Sequence, residues 1–353
     1  MCHYVEDKSI TCYPFKLVAE LTYRCNLKCI YCHNPVNKEL FRDELTTRQW
    51  MDIIRDAKEL DVVEINFTGG EPTLRNDLCK LVSYAKKLDF RVGIDTNATL
   101  MNDDLCKRLI RAGIDHVQIG FPSISANIEK KVTGSAMLKN KIKTIRTFVR
   151  HAVPVFLNVV LTRKNITEVK KIIRLSEDLG VSMLIFQPAY LYGRAAKYAC
   201  SNEKILPSRN QMKYVLEVLR EAEKGSSIRI HKPSLFYYTG LPMPCSWQYE
   251  GVLVITPNGL ITPCEPASNL YPLVRFDNIR TKKSLYSIWI NSQALKMFND
   301  LRWLPEVCRR CEYKNKCRGG CRVKALLITG NLYAEDPTCF ASKYRQVIET
   351  FLS

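Results

Sequence analysis

Apolar runs alternate with longer, helix-like stretches from residue 17 to about residue 190. The runs have the length of β-strands, and the stretches between them repeat apolar residues every three or four positions, as amphipathic helices do. Six such units predict an α/β fold, a partial (β/α)6 barrel of the TIM type with a parallel sheet. The predicted strands are 17–22, 62–67, 90–95, 115–120, 155–160 and 181–187, and the predicted helices are 46–60, 76–88, 102–112, 139–151 and 165–179.

Local signals mark the ends of several of these helices. The run Thr46-Thr47-Arg48-Gln49 predicts a capping box at the start of the first helix. Gly113 and Gly180 follow the third and fifth helices, where glycine commonly adopts the left-handed conformation that ends a helix.

The pattern changes after residue 190. The alternation gives way to a connector with one predicted helix at 208–224, and then to a cysteine-rich region that predicts a second domain. The predicted division is 1–16 (N-terminal extension), 17–190 (core), 191–240 (connector), 241–345 (cysteine-rich domain) and 346–353 (tail).

Composition narrows the class of protein. Hydrophobic residues make up 46% of the 353 residues and charged residues 25%, as in soluble globular proteins. No apolar stretch has the length of a membrane span, and the N-terminus lacks the layout of a signal peptide, so we expect a cytoplasmic protein that does not bind membranes. Fifteen cysteines in such a protein indicate metal sites rather than disulfide bonds.

The net charge of +18 is large enough to attract nucleic acid, an acidic peptide or anionic small molecules. The basic residues are spread along the chain, and in the densest stretch, 139–150, they alternate with apolar residues at helical spacing. That pattern favours the solvated face of an amphipathic helix over a nucleic-acid groove. The charge therefore does not select a partner.

Three cysteines share one short loop after the first predicted strand. Cys25, Cys29 and Cys32 have the spacing C-x3-C-x2-C. Three thiolates can hold three irons of a cubane iron–sulfur cluster and leave the fourth iron open for chemistry. The alternatives are a zinc site or unrelated buried thiols, but zinc usually takes four ligands in paired C-x2-C sets.

A glycine-rich turn, Thr68-Gly69-Gly70-Glu71-Pro72, follows the second predicted strand. Glycines there allow the backbone to approach a ligand closely, since they have no Cβ. Ligands of parallel sheets bind at the carboxyl ends of the strands, where both this turn and the cysteine loop fall. Short polar residues also cap ordinary turns, but those at later strand ends are further candidates: Asp95, Thr96, Asn97, Asn158, Thr162 and Gln187.

The cysteine loop and the Gly-Gly-Glu-Pro turn together resemble the radical S-adenosylmethionine (SAM) superfamily. The resemblance implies a four-iron, four-sulfur (4Fe–4S) cluster on the three cysteines, with SAM on the open iron. It also implies that SAM is cleaved reductively to a 5′-deoxyadenosyl radical, which takes a hydrogen atom from the substrate. The implied SAM contacts are Tyr31 at the adenine, Gly69, Gly70 and Glu71 at the amino group, and Thr96, Asn97 and Asn158 at the ribose and carboxylate.

Seven further cysteines resemble the SPASM extension of radical SAM enzymes, which binds two auxiliary iron–sulfur clusters. The resemblance implies one cluster on Cys308, Cys311, Cys317 and Cys339, and another on Cys245, Cys264 and Cys321. The second set is one ligand short of a cubane, which leaves an open iron, a ligand from elsewhere such as Cys200, or a smaller 2Fe–2S cluster. A pair of zinc knuckles is the alternative.

Over nearly its full length the chain resembles the radical SAM enzymes of pyrroloquinoline quinone (PQQ) biosynthesis. Two departures concern cluster ligands. That group has an aspartate at the position of Cys317, and a C-x-C motif where this chain has Cys321-Arg322-Val323. The substrate therefore need not be the PQQ precursor.

The function that the resemblance implies is oxidative maturation, by cross-linking, of a ribosomally made peptide. Oxidation or decarboxylation of a non-peptide metabolite in cofactor biosynthesis, such as a tetrapyrrole, is the alternative. A zinc-containing nucleic-acid-binding protein is a remote alternative, because no RNA-binding motif accompanies the charge. The expected partners are the peptide or small metabolite, an electron donor such as flavodoxin or ferredoxin, and a small peptide-chaperone protein, with neither membrane nor nucleic acid.

Overall fold

The structure is a computed structural model that describes residues 2–4, 10–200, 203–232, 238, 251–281 and 284–352. The predicted ligand Cys245 lies outside the described residues. The strands are β1 (Cys2–Tyr4), β2 (Ile10–Cys12), β3 (Lys16–Thr22), β4 (Glu64–Gly69), β5 (Arg91–Thr96), β6 (His116–Gly120), β7 (Val155–Leu161), β8 (Met183–Pro188), β9 (Arg229–His231), β10 (Val252–Ile255) and β11 (Ile261–Thr262).

Most helices lie between the strands up to β9, and those after β11 follow one another with no further strand in the described residues. The α-helices are α1 (Thr47–Asp56), α2 (Leu78–Lys87), α3 (Asp103–Arg111), α4 (Ala126–Thr133), α5 (Leu138–Arg150), α6 (Val169–Asp178), α7 (Gly193–Cys200), α8 (Arg209–Ala222), α9 (Leu285–Asn291), α10 (Gln293–Asn299), α11 (Glu306–Arg309), α12 (Lys314–Cys317), α13 (Arg322–Thr329) and α14 (Arg345–Leu352). No helix of the described part of the chain has the length and apolar character needed to span a membrane.

The predicted parallel barrel is confirmed. Strands β3 to β8 are the six predicted strands, and they pair in sequence order as parallel neighbours. The sheet continues at both edges, because β9 pairs with β8 and β10 pairs with β3, each in parallel. The cysteine-rich region thus contributes β10 next to the first strand of the barrel, and β11, antiparallel to β10, forms the edge of the sheet.

The two faces of the sheet differ in polarity. Leu17, Ala19 and Leu21 of β3 are fully buried in the hydrophobic core between sheet and helices. Each such leucine contributes about 1.5–3 kcal/mol by leaving water. The intervening residues point to the opposite, polar face. The strand pairing places one polar residue of each of the six strands on that face: Glu20, Asn66, Asp95, Gln118, Asn158 and Gln187.

The helix-end signals have the predicted geometry. Thr46 and Gln49 form a capping box at the start of α1. Gly113 and Gly180 have φ angles of +88° and +69°, so each takes the left-handed conformation beyond its helix. Helix α4 was not predicted, and it becomes important because it contacts the cysteine loop.

Candidate active site

The cysteine loop begins directly after β3, and its three thiols are partly exposed. The backbone N–H groups of Lys28 and Ile30 donate to carbonyl oxygens at the end of α4, each at 2.9 Å. A buried ion pair fixes α4 in turn, with Lys141 Nζ 2.8 Å from Glu129 Oε1. Lys141 also donates to the carbonyl of Gly120 at the end of β6. The loop is therefore anchored to the fourth barrel strand through α4.

Arg194 holds the loop from the other side. Its backbone N–H donates to the carbonyl of Cys32 at 2.9 Å, and its Nη1 donates to the carbonyl of Cys29 at 2.8 Å. Gly193 before it has a φ of +52°, and a Cβ there would lie 2.3 Å from the carbonyl oxygen of Asn34. No sequence motif marks Arg194, because its partners are carbonyl groups more than 160 positions away.

Gly69 and Gly70 pack against the beginning of the cysteine loop. A Cβ on Gly69 would lie 2.3 Å from the carbonyl oxygen of Thr22, and one on Gly70 the same distance from that of Arg24. The N–H of Gly70 donates to Thr22 O at 2.6 Å, and that of Glu71 donates to Arg24 O at 3.0 Å. The two glycines allow a close approach of backbone to backbone that any side chain would prevent.

The Glu71 carboxylate joins the ends of β4 and β5. It is fully buried and accepts hydrogen bonds from Thr73, from Thr96 Oγ1 at 2.7 Å and from the N–H of Asn97 at 2.7 Å. Burial raises the pKa of Glu71, although these donors lower it in part. The structure thus brings three of the predicted SAM-contact residues, Glu71, Thr96 and Asn97, into direct contact.

Hydrogen-bond donors surround the thiols of the loop. Cys25 Sγ lies 3.4 Å from the N–H of Leu27 and 3.8 Å from Asn97 Nδ2. The Tyr31 hydroxyl beside Cys29 acts to lower the pKa of that thiol. Donors of this kind favour the ionised form of a thiol, which is the form that binds iron.

Burial opposes that ionisation when no metal is present. It raises the pKa of Cys25, and burial together with the neighbouring thiols raises the pKa of Cys29 to about 12. Positive charge from bound iron would reverse this balance, since metal binding displaces the thiol proton. Partly buried cysteines, one of them with N–H donors already near its sulfur, therefore fit an iron–sulfur cluster.

In the described residues the cysteines are not arranged as the ligands of a single metal ion. Across the described ranges, no three His, Cys, Asp or Glu side chains converge closely enough to ligate a single metal ion. In a cubane each thiolate binds a different iron, so its ligands lie farther apart than those of one zinc ion.

Asn158 lies apart from the other predicted SAM contacts. It is in the middle of β7, on the polar face, and its Oδ1 accepts a hydrogen bond from Gln187 Nε2 at 3.1 Å. On the same face Asn66 Nδ2 donates to Asp95 Oδ2 at 2.8 Å, and burial raises the pKa of Asp95 to about 7. A period-two pattern of polar residues within apolar strands is the sequence signal that identifies the residues of this polar face.

Four cysteines of the second region are electrostatic neighbours. Burial, followed by the Cys339 thiol, raises the pKa of Cys308 to about 11. Burial, followed by Asp336 and then Cys339, raises the pKa of Cys317 to the same value. Burial, and after it Asp336 and Cys311, raise the pKa of Cys339. The four cysteines expected to share one auxiliary cluster are therefore near enough to influence one another's ionisation.

Cys264 and Cys321 occupy equivalent places in their own segments. Cys264 directly precedes the 3-10 helix Glu265–Leu270, and Cys321 directly precedes α13. These two helices pack against each other. Each thiol therefore lies at the start of one of two helices that are in contact.

Two buried charged side chains hold the loops of the second region. Asp336 accepts from the N–H of Cys321 at 2.8 Å and pairs with Lys324 Nζ at 2.9 Å. Arg322 lies over the Trp303 ring at 4.2 Å and donates to carbonyls on both sides of the cysteine run. Burial would raise the pKa of Asp336, but Lys324 and the N–H donors outweigh it and lower that pKa.

A parallel barrel with three cysteines at the end of its first strand has the architecture of a radical SAM enzyme. Residues 19–176 match the Radical SAM superfamily, and residues 245–312 match the SPASM iron–sulfur cluster-binding domain. The chain belongs to the radical SAM superfamily and carries a SPASM domain. Its cofactors are SAM, the 4Fe–4S cluster that binds it, and auxiliary iron–sulfur clusters. This membership leaves no support for the zinc alternatives.

The chain is similar to several characterised proteins. It is 33% identical over 339 residues to the PqqA peptide cyclase of Gluconobacter oxydans (strain 621H), which covers 95% of this chain and 93% of that protein. Its fold is similar to that of Streptococcus suis SuiB bound to S-adenosylmethionine, with a TM-score of 0.76, 19% identity and coverage of 93% and 77% of the two chains. The fold of native anSMEcpe with bound AdoMet is also similar, with a TM-score of 0.64, 17% identity and 96% coverage of both chains.

Proposed function

We propose that this enzyme matures a ribosomally made peptide by oxidative cross-linking. The observation that carries the proposal is the 33% identity, over 95% of the chain, to a protein named PqqA peptide cyclase. A peptide substrate is compatible with the fold, because S. suis SuiB bound to the precursor peptide SuiA has a TM-score of 0.75 at 20% identity. The substitutions at Cys317 and Val323 relative to the PQQ group suggest a different precursor peptide.

We assign the SAM-binding cluster to Cys25, Cys29 and Cys32. When bound, the cluster and SAM supply a 5′-deoxyadenosyl radical, while the protein orients the reactants and excludes water. The support is the loop geometry, in which the N–H of Leu27 and Nδ2 of Asn97 approach the Cys25 sulfur.

The SAM contacts remain part of this proposal. We assign Tyr31 to the adenine, Thr96, Asn97 and Asn158 to the ribose and carboxylate, and Gly69, Gly70 and Glu71 to the amino group. Because Thr73, Thr96 and Asn97 already donate to the Glu71 carboxylate, we expect the backbone of this turn to meet the amino group. The carboxylate then positions the strand ends.

We also assign two auxiliary clusters to the cysteine-rich region. Cys308, Cys311, Cys317 and Cys339 hold one, and Cys245, Cys264 and Cys321 hold the other, as an incompletely ligated cubane or a 2Fe–2S cluster. The support is the mutual effect of the first set on one another's ionisation, and the position of Cys264 and Cys321 at the starts of two helices in contact. We further propose that the chain divides into a radical SAM core at 17–190, a connector at 191–240 and a SPASM domain at 241–345.

An acidic electron-carrier protein of the flavodoxin or ferredoxin class is the reductant we propose, in the cytoplasm. The supporting feature is a groove of about 610 Å³ between α3 and α5, in which five Lys and Arg side chains face one carboxylate, Asp103. The start of α5 adjoins the active site, since Asn140 Nδ2 donates to Ala98 O at 2.8 Å and Thr99 accepts from Asn26 beside Cys25. A small chaperone protein that presents the peptide is a second proposed partner.

Charge reversal tests the role of the groove. The double variant K139E/R146E should lower the rate of SAM cleavage several-fold with an acidic protein donor, since attraction at the surface speeds association. With dithionite the rate should be unchanged. The matched control is K213E/R220E on α8, with the same spacing and the same charge change. Equal losses with both reductants would argue against donor docking at this groove.

The proposed function is tested with the peptide encoded beside the gene. Reconstituted enzyme is incubated anaerobically with SAM, reductant and this peptide, and the products are read by mass spectrometry. We expect the peptide to lose two hydrogens. One would leave as an atom, taken up by the 5′-deoxyadenosyl radical, and the other as a proton and an electron, for which an auxiliary cluster would be the acceptor. Unchanged peptide with 5′-deoxyadenosine still formed would overturn the peptide assignment and favour a small metabolite.

A further inference from the structure

One short segment of the connector contacts both cysteine regions. The hydroxyl oxygen of Tyr192 lies 3.1 Å from Cys321 Sγ in the SPASM domain. Two residues later, Arg194 donates to the carbonyls of Cys29 and Cys32 in the SAM-cluster loop. The hydroxyl of Tyr192 and the thiol of Cys321 are 129 positions apart in sequence.

The direction of the hydrogen bond follows from the chemistry of an iron ligand. In a free thiol either atom can donate, but a thiolate bound to iron has no proton left to give. The Tyr192 O–H must then be the donor and Cys321 Sγ the acceptor. Tyr192 is 5% exposed, so little water competes for this bond and its electrostatic effect on the sulfur is strong.

Both partners of the bond are held firmly by their own domains. The Tyr192 ring stacks on Tyr190 with centroids 6.0 Å apart, and the following Gly193 packs against the cysteine loop. On the other side, the N–H of Cys321 donates to the buried carboxylate of Asp336 at 2.8 Å. The barrel therefore fixes the donor while the SPASM domain fixes the acceptor.

We propose that Tyr192 raises the reduction potential of the auxiliary cluster that Cys321 ligates. A hydrogen bond to a ligating sulfur withdraws negative charge and stabilises the reduced cluster, and such bonds are among the factors that set iron–sulfur potentials. Tyr192 is a positioning residue in this sense, because it acts through Cys321. The inference rests on the proposed assignment of Cys321 to an auxiliary cluster.

The test measures cluster potentials after removal of the SAM-binding cluster. In the background C25A/C29A/C32A, the remaining clusters are titrated anaerobically and followed by electron paramagnetic resonance. Y192F should make the reduction potential of one auxiliary cluster more negative. A change of about tenfold in the equilibrium constant for its reduction is expected, which equals ~59 mV for one electron. The control Y333F removes a hydroxyl that contacts Met297 and should leave both couples unchanged.

A second variant keeps the inference testable if Y192F loses the auxiliary cluster. A 3-fluorotyrosine at position 192 keeps the ring and the hydroxyl, and its more acidic O–H should shift the same couple in the positive direction. Unchanged potentials in both variants, with full iron content, would overturn the inference. Absence of auxiliary iron in the unaltered SPASM domain would instead refute the proposed cluster assignment on which it rests.

Discussion

The two cysteine regions of this enzyme are held in place by different means. The loop of Cys25, Cys29 and Cys32 is fixed by hydrogen bonds to its backbone and by the contact with Gly69 and Gly70. The cysteines between 308 and 339 are fixed by buried charged side chains, above all Asp336 and Arg322. The difference follows from their surroundings, because the first region directly follows a strand of the sheet and the second consists of short helices.

This difference indicates which substitutions each cysteine region can tolerate. At the carboxyl end of the barrel, backbone from three strands converges, and only residues without a side chain allow the close approach. In the SPASM region few backbone groups are ordered by a sheet, so a buried carboxylate satisfies N–H groups from two loops at once. We therefore expect a side chain added at Gly69 or Gly70 to damage the first region, and loss of the Asp336 charge to damage the second.

Removal of a SAM-cluster ligand should have the largest effect. Cys25→Ala leaves two thiolates for the cluster, so SAM cleavage should be abolished. The measurement is 5′-deoxyadenosine formed with dithionite as reductant. Cys79→Ala, at a partly buried thiol on α2 outside both regions, is the control and should retain activity. Continued 5′-deoxyadenosine formation by C25A would disprove the assignment of this loop.

A single methyl group at Gly70 should be nearly as damaging. The added Cβ would lie 2.3 Å from Arg24 O and 2.8 Å from Tyr23 O, both of them backbone atoms that cannot rotate away. We expect G70A to lower the rate of SAM cleavage by about 100-fold, the scale of loss from a displacement of about 1 Å in an active site. Gly225→Ala is the matched control, since no atom lies within 4 Å of its Cβ. Equal activity of both variants would show that the glycine contact is not needed.

Neutralising Asp336 should affect the second region and spare the first. In D336N the buried Lys324 loses its carboxylate partner, which should lower the free energy of unfolding by about 3 kcal/mol. Auxiliary iron should fall while the SAM-binding cluster stays loaded. Iron analysis and chemical unfolding measure the two effects, with the exposed Asp104→Asn as control. A uniform loss of iron from both regions would contradict the claim that Asp336 supports only the second region.

The smallest expected effect is a pH dependence at Asp95 in the barrel. Its pKa of about 7 in the folded chain exceeds the unfolded value of about 3.9, so the folded state binds the proton more tightly. Its contribution to stability is therefore fully present below about pH 4 and lost as the pH rises through about 7. We expect D95N to be more stable than the parent enzyme by about 1–3 kcal/mol at pH 8, but equal to it at pH 4.

Urea unfolding at the two pH values measures this difference. Any loss of clusters with pH affects parent and variant alike, so the difference between them isolates Asp95. D104N should match the parent at both values. A D95N variant less stable than the parent at pH 8 would show that the carboxylate is stabilising when ionised.

The barrel was predictable because its signals are local. Apolar runs and the glycines at 113 and 180 placed the strands within about two residues of Lys16–Thr22, Arg91–Thr96 and Met183–Pro188. The cysteine spacings and the Gly-Gly-Glu-Pro turn likewise located the candidate site. Their roles toward SAM stay predictions.

The contacts that hold the site could not be predicted, because they join distant parts of the chain. Helix α4 is short and its first residue follows Ser125, which makes no side-chain cap. The pairing of β10 with β3, and the contact of Tyr192 with Cys321, depend on how the chain returns to the barrel. Such non-local contacts leave no periodic pattern in the sequence.

The most direct test of the whole account is the iron content of two proteins, analysed by Mössbauer spectroscopy. The reconstituted parent enzyme is compared with C25A/C29A/C32A under anaerobic conditions. We predict that the triple variant loses one 4Fe–4S cluster, about four irons per chain, and all SAM cleavage, while the auxiliary clusters keep their spectra. Equal iron in both proteins, or loss of every cluster in the triple variant, would contradict two separately held cysteine regions.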